Sequence, residues 1–259
     1  MATYSIKAIK HAEQSAPGPQ MFYLSDWDRW IDVFFYFFIL RRDDGRVALV
    51  DTGIRDVNEI NPLVLGGVGE RGRFRMDMSR ESVPLLLRRE GVDPAQVDYV
   101  FLTHFHYDHC SNVKLFPNAK FVVSKRGWLA TLAPPYLKMV PDVLFPRDVL
   151  AYLANEARDR LILVEDDEQE IAPGIGAFYT GGHTLCSQAI RVNTAQGRAI
   201  LTGDVAFLYE NVEKDRPVGL SLNLIECYDA MAKIRREADL IVPPHDPDLL
   251  NRYPDGVVA

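Results

Sequence analysis

The sequence predicts an α/β fold in which two β-sheets pack against each other and helices cover the outside. Short apolar or alternating segments, which are typical of strands, occur in two groups along the chain. Amphipathic segments typical of helices accompany each group, so the order strands, helix, strands, helix favours a sandwich of two sheets between helices. The chain has 259 residues, of which 47% are apolar, and this is enough to bury a sizeable core.

In the first half, strands are predicted at residues 5–9, 33–40, 46–50, 99–103 and 120–124. A helix is predicted at 79–90, where Val83, Leu86 and Leu87 form an apolar stripe and Gly91 provides a stop signal. Residues 54–78 combine glycines and charges with weak periodicity, so we expect a loop there. Residues 133–150 contain four prolines among bulky apolar side chains, which indicates an irregular lid or insertion.

The second half is richer in strands. They are predicted at residues 161–165, 169–171, 177–180, 188–193, 198–202 and 240–242. Glycines separate several of these segments, as expected for tight connections. An amphipathic helix is predicted at 226–238.

Charge and cysteine content exclude several classes of protein. The formal net charge is −7 and basic residues cluster only in pairs, so nucleic acid is not an expected partner. Three cysteines do not form a disulfide framework and suit a reducing compartment. The most apolar run, residues 31–40, is far shorter than the roughly 20 residues of a membrane span. Residues 1–10 lack a secretory signal, so we expect a cytoplasmic protein.

The strongest chemical signal is a cluster of polar residues directly after the strand at 99–103. His104 and His106 are two residues apart, so they point the same way in an extended segment, whereas Asp108 and His109 follow a turn and can face a second ion. A lone histidine in a loop is usually solvated or hydrogen-bonded. Four such groups within six residues gain nothing from packing and are costly to bury unpaired. The cluster therefore predicts a metal site.

Three further candidate ligands also follow predicted strands. His183 comes after a Gly-Gly turn, Asp204 follows the strand at 198–202, and His245 follows the strand at 240–242. Ligands at several strand ends can share one cleft. Imidazole-rich sites with two carboxylates suit zinc, although other divalent metals remain alternatives. Of the six histidines in the chain, only His11 falls outside this set.

The pattern His-x-His-x-Asp-His, with a downstream His, Asp and His, resembles the metallo-β-lactamase superfamily. The Leu49–Gly53 strand and turn resemble it too. The resemblance implies an αββα sandwich with two central mixed sheets, a single domain over residues 1–259 and a core at 33–246. It also implies that His104, His106 and His183 bind a first zinc, that Asp108, His109 and His245 bind a second, and that Asp204 bridges both.

The same resemblance implies a hydrolytic mechanism. A hydroxide shared by the two ions would attack a carbonyl, and Asp108 would carry the proton to the leaving group. Asp51 is expected to orient a ligand from behind, although it is equally interpretable as a residue of the turn.

Within the superfamily the chain looks most like N-acyl-homoserine lactonases and 4-pyridoxolactonase, which implies hydrolysis of a cyclic ester and a possible role in quorum quenching. Homoserine lactonases carry a tyrosine three residues after the bridging aspartate, where this chain has Phe207. Tyr209 is the candidate substitute. This departure leaves a different lactone, a cyclic amide or imide, and a thioester as alternatives.

Other classes fit less well. Glyoxalase II-like thioesterases usually have a further C-terminal helical region, nucleases need positive charge, and a non-catalytic metal-stabilised binding protein would be expected to lack ligands.

Aromatic residues suggest where a substrate with an apolar or aromatic part would bind. Residues 21–38 are rich in aromatic side chains, which fits either a core strand with a dimer contact or an apolar wall of a pocket. Residues 17–32 and 133–150 are the corresponding pocket or homodimer segments. The candidate substrate contacts are Phe207, Trp27, Trp30, Met139 and Phe145.

Overall fold

A six-stranded sheet forms the first half of the protein. The computed structural model describes residues 2–259, apart from the side chain of Leu65. Within these residues the first sheet has its strands in the order of the chain: Tyr4–Pro17 (β1), Trp30–Arg42 (β2), Val47–Val50 (β3), Val97–Phe101 (β4), Lys120–Ser124 (β5) and Leu161–Val164 (β6). The pairs β1–β2 and β2–β3 are antiparallel, whereas β3 to β6 run parallel.

The second half forms a five-stranded sheet within the same described residues. Its strands are Gln169–Ala172 (β7), Ile175–Tyr179 (β8), Gln188–Thr194 (β9), Gly197–Leu201 (β10) and Leu240–Val242 (β11), in the order β11-β10-β9-β8-β7. The pair β10–β11 is parallel and the other neighbours are antiparallel. Both sheets are therefore mixed.

Helices connect the strands and cover the outer faces. They are Gly18–Met21 (α1), Val57–Val68 (α2), Met78–Glu81 (α3), Val83–Arg89 (α4), Tyr107–Cys110 (α5), Lys125–Leu132 (α6), Arg147–Ala154 (α7), Tyr209–Glu213 (α8), Leu224–Glu237 (α9) and Asp248–Arg252 (α10). Short 3₁₀ turns lie at Glu70–Gly72, Pro94–Gln96, Val113–Leu115, Leu137–Met139, Arg158–Arg160 and Gly203–Val205. In the part of the chain that the structure describes, no helix combines the length and the apolarity needed to cross a bilayer.

Three apolar layers hold the sandwich together. On β2, Phe38 and Leu40 face the second sheet, and Phe37 and Ile39 face the helices α4 and α7 on the other side. This alternation follows from the period of two along a strand, and both faces are buried. A third layer packs α9 against the outer face of the second sheet and also includes apolar residues of α2. The layered αββα architecture confirms the predicted fold class.

Two predicted elements were wrong in detail. Residues 57–68 form α2 rather than a loop; Pro62 and two glycines lower its helix propensity, but its apolar face is buried in the core. The helix predicted at 79–90 is divided at Ser82, whose backbone is extended. Ser82 is the N-cap of α4, a position that is usually extended, and Pro84 lies in the first turn of that helix, where proline is favoured. Both residues therefore favour a new helix start at this point. The segment before α7 is irregular, as predicted.

Candidate metal centre

The ends of five strands deliver the polar cluster to one edge of the sandwich. The segment after β4 carries His104 and His106, and the short helix α5 then turns Asp108 and His109 toward the same point. The loops after β8, β10 and β11 bring in the three downstream residues His183, Asp204 and His245. Asp51 follows β3. The strands provide a rigid frame for side chains that the loops alone would not hold in place.

Four of these residues converge in a first group. His104, His106, His183 and Asp204 offer ligand atoms that all lie within 4.8 Å of one another. Nε2 of His104 and Nε2 of His183 are 3.5 and 3.4 Å from Oδ2 of Asp204, and Nδ1 of His106 is 3.1 Å from Nε2 of His183. Ligand atoms around a tetrahedral zinc, with bonds of about 2.0–2.1 Å, are separated by roughly 3.3 Å. The separations in this group are compatible with ligands of one metal ion.

A second group shares Asp204 with the first. Asp108, His109, Asp204 and His245 also lie within ligating reach of one point. Nε2 of His109 and Nε2 of His245 are 3.2 and 3.1 Å from Oδ1 of Asp204, and Oδ2 of Asp108 is 3.0 Å from Nε2 of His109. One oxygen of Asp204 therefore faces each group. This is the arrangement of a carboxylate that can bridge two ions.

Hydrogen bonds leave the inward-facing nitrogens with free lone pairs. Nδ1 of His183 donates to the carbonyl of Leu220, and Nδ1 of His245 donates to the carbonyl of Phe34 at 3.0 Å. With the proton on Nδ1, the opposite nitrogen of each ring is a lone-pair donor, which is the tautomer that metal binding requires. Among residues 2–259, Nε2 of His104 and Nε2 of His109 have no hydrogen-bond partner although both are buried. The donor set fits a pair of cations.

Burial and neighbouring charge set the protonation of the cluster. Burial, reinforced by adjacent imidazoles, holds the pKa of His104 well below its usual value and lowers the pKa of His106 to about 3. Burial acts on His109 in the same direction, but the carboxylates of Asp108, Asp204 and Asp51 outweigh it and raise its pKa well above the usual value. This half of the cluster therefore attracts positive charge, which a metal ion supplies as well as a proton does.

Asp51 fixes one of the rings from behind. It is fully buried, and its Oδ2 lies 2.8 Å from Nδ1 of His109. The backbone N–H and the hydroxyl of Thr103 each donate to this carboxylate at 2.8 Å. The backbone of Asp51 is left-handed, with φ of 61°, a conformation that aspartate tolerates better than most residues. Asp51 therefore contacts the nitrogen of His109 that faces away from the cluster, and its orienting role stays a prediction.

A largely apolar cavity of about 620 Å³ opens above the cluster. His106, Asp108, His183, Asp204 and His245 contribute to its floor. Apolar side chains from β2, α2 and the segment before α7 line the walls. A cavity of this size can enclose a small molecule, with the polar cluster at one end.

The architecture and the cluster can be compared with known proteins. The family model of the metallo-β-lactamase superfamily matches residues 32–245. The chain belongs to the metallo-β-lactamase superfamily.

Two relatives within the superfamily align with about two thirds or more of this chain. N-acyl homoserine lactonase AiiA of Bacillus thuringiensis subsp. kurstaki is 27% identical over 217 residues, covering 81% of this chain and 80% of its own. Metallo-beta-lactamase domain-containing protein 1 of Xenopus laevis is 28% identical over 170 residues, covering 65% and 62%.

A solved structure of an N-acyl homoserine lactone hydrolase, with the product N-hexanoyl-L-homoserine at its catalytic metal centre, has a similar fold. It superposes with a TM-score of 0.77 at 20% identity, over 98% of this chain and 99% of its own. At that identity the likeness establishes the shared fold. The homologues of this chain include N-acyl homoserine lactonases, and this superfamily member has a His/Asp metal-binding site.

Three of the predicted substrate contacts line the cavity of this superfamily member. They are Phe207, Met139 and Phe145. The ring of Phe207 packs against the rings of His183 and His245, with centroids 5.4 and 5.5 Å away, and Phe145 packs against His106 at 4.8 Å. These aromatic rings therefore pack directly against three histidines of the cluster.

The structure places the other three candidates elsewhere. Trp27 is 71% exposed, and Trp30 packs beneath the guanidinium of Arg71. Tyr209 lies in the layer between the sheets, with the guanidinium of Arg252 3.5 Å from its ring centroid. Tyr209 is the first residue of α8 and lies two residues after Phe207, and its side chain points away from that of Phe207. Tyr209 therefore does not replace the tyrosine of the lactonases, and the two tryptophans lie outside the cavity wall.

Sequence reasoning missed several parts of the cavity, including residues 219–222. Helix α2 contributes Leu63, Val64, Gly67 and Val68 to the wall. Val57, Ile60, Val64 and Val68 recur at helical spacing and could have revealed this helix. Gln14 was also missed, because its neighbours on β1 did not appear strand-like beyond residue 9.

Proposed function

We propose that this chain is a dinuclear zinc hydrolase that opens a lactone ring. The observation that carries the proposal is the position of Asp204, whose two carboxylate oxygens each face a separate group of ligands at the floor of the cavity. The lactonase relatives support a cyclic ester as the substrate class. The site draws on elements from β1 to the segment after β11, which supports a single domain over residues 1–259.

The donor set supports zinc as the metal. Five imidazoles and two carboxylates match the ligands that zinc prefers, with His104, His106 and His183 for one ion, Asp108, His109 and His245 for the other, and Asp204 for both. When bound, two zinc ions supply Lewis acidity toward a carbonyl and make a water molecule acidic enough to react near neutral pH.

Asp108 is the residue placed to handle the proton. It lines the cavity, and its side chain is 19% exposed, compared with 4% for Asp204. Burial acts to raise its pKa, but the charge and the hydrogen bond of His109 outweigh this and hold the pKa below its usual value. Asp108 is therefore a carboxylate at neutral pH, so it can accept a proton in the cavity and pass it to the leaving oxygen.

The walls above the floor select an apolar substrate. Phe207 cannot donate a hydrogen bond to the substrate carbonyl, so this chain does not use the phenol contact that the lactonase resemblance implies. Phe35, Phe74 and Met21 continue the apolar wall away from the ligands. We therefore expect a lactone with an apolar substituent.

A panel of substrates tests this proposal. Zinc-loaded protein should hydrolyse N-acyl homoserine lactones or other substituted lactones with kcat/KM above about 10⁴ M⁻¹s⁻¹, the lower end of typical enzymes, as measured by proton release in a pH-stat. Cyclic imides and thioesters should react more slowly. Protein treated with a chelator and then dialysed is the matched control.

The panel also separates the alternatives. Faster turnover of a cyclic imide or a thioester would replace the lactone as substrate class while retaining the hydrolytic site. Failure of metal-loaded protein to hydrolyse any member would contradict the proposal.

A further inference from the structure

Gln14 is a polar residue on an apolar stretch of the cavity wall. On β1 it lies between Ala12 and Ala16, which point to the same side, and it pairs across the strands with Val33 of β2. Ala16 and Val33 line the cavity together with Gln14. Gln14 is only 8% exposed. Because it lines the cavity, we infer that this small exposed fraction faces the cavity.

The amide of Gln14 lacks a partner in the protein. Within residues 2–259 its side chain makes no hydrogen bond to the protein, whereas the buried amides of Gln188 and Asn211 donate to backbone carbonyls. A buried amide left without a partner is destabilising, because it has lost its hydrogen bonds to water without gaining others. In the free protein, water in the cavity can satisfy it; a purely apolar ligand that displaces this water cannot.

The register of the two strands places this amide away from the metal cluster. Ala12 pairs with Phe35, and the ring of Phe35 packs against that of His245 with centroids 4.8 Å apart. Gln14 lies two residues beyond Ala12 on β1, which corresponds to about 7 Å along a strand. A lactone carbonyl at the cluster would therefore place its substituent, and not its ring, against Gln14.

We propose that Gln14 is a specificity-determining residue that selects lactones whose apolar substituent carries a neutral hydrogen-bonding group, such as a ketone or a hydroxyl, set back from the ring. This inference rests on the proposed lactone hydrolysis. An amide offers both a donor and an acceptor without charge, so it can pair with either group. An unsubstituted alkanoyl chain would leave it desolvated.

The ratio of kcat/KM for two lactones, one with and one without a polar group on the substituent, tests the role of Gln14 directly. Medium-chain N-acyl homoserine lactones with and without a β-keto group are compared in the wild type, in Gln14→Met and in Gln14→Leu, with the surface variant Gln196→Met as control. In the wild type, kcat/KM should favour the β-keto substrate. In Gln14→Met the ratio of the two kcat/KM values should fall by about 2- to 12-fold, the effect of one neutral hydrogen bond.

The rise in KM for the β-keto substrate should account for most of this loss, with kcat for the plain substrate retained. A Gln14 variant that is active but keeps the wild-type ratio overturns the proposal, even if lactone hydrolysis itself stands. Calorimetric binding of the two ring-opened products to the wild type and to Gln14→Met gives the same comparison without turnover. If no lactone is hydrolysed, the proposed function fails, and an unchanged product-binding ratio then overturns the role of Gln14 independently.

Discussion

Replacement of Asp204 by asparagine should lower kcat/KM for lactone hydrolysis by more than about 1000-fold, because it removes a negative charge shared by both ligand groups. Oδ2 of Asp204 faces His104 and His183, and Oδ1 faces His109 and His245. An asparagine keeps one neutral carbonyl oxygen and places an NH₂ group, which cannot ligate a cation, on the other side. Bound zinc, measured by atomic emission, should fall from about two ions per chain to one or fewer, as expected if both ions share this residue.

Asp229→Asn is the matched control for this variant. Asp229 is exposed on α9, so the same chemical change there should leave zinc content and kcat/KM unaltered. If Asp204→Asn retains two zinc ions and wild-type activity, the bridging assignment of Asp204 is wrong.

Replacement of Asp51 by asparagine should weaken zinc binding by about 10- to 100-fold, the usual effect of losing a partner that orients a metal-binding histidine. The carboxylate accepts from Nδ1 of His109 and from both the backbone N–H and the hydroxyl of Thr103. An asparagine amide must direct its NH₂ group at one of these donors, so one contact becomes repulsive. Asparagine also tolerates the left-handed backbone at this position, so the effect should be on the site rather than on folding.

Competition with a chelator of known affinity measures the change in zinc affinity, and a thermal melt of the metal-free protein checks the fold. The control is Asp98→Asn, at an exposed position of β4, which should bind zinc as the wild type does. Unchanged zinc affinity in Asp51→Asn, with its structure intact, would show that the contact to His109 is only a feature of the turn.

The sequence carried enough information to predict the layers and the cluster. Strand period and strand-end position predict that His104, His106, His183 and His245 lie close together, because parallel strands end at a common edge. Strands β5 and β11 were predicted with the bounds found in the structure. These segments succeed because they are short, buried and flanked by clear turn signals.

Other features depend on contacts that no local pattern contains. Helix α2 has poor propensity and is stabilised by tertiary packing of its apolar face. Tyr209 and Phe207 are close in sequence, yet the start of α8 at Tyr209 sends one side chain between the sheets and the other to the cavity. The isolation of Gln14 on an apolar wall depends on the pairing of β1 with β2, which continues to residue 17.

Anomalous diffraction from crystals of the active, zinc-loaded protein, recorded on both sides of the zinc absorption edge, is the most direct test of the central claim. We expect two anomalous peaks on the cavity floor, one among His104, His106 and His183 and one among Asp108, His109 and His245, with Asp204 between them. Fully active crystals with no anomalous peak at these residues, or with zinc bound only elsewhere on the chain, would contradict it.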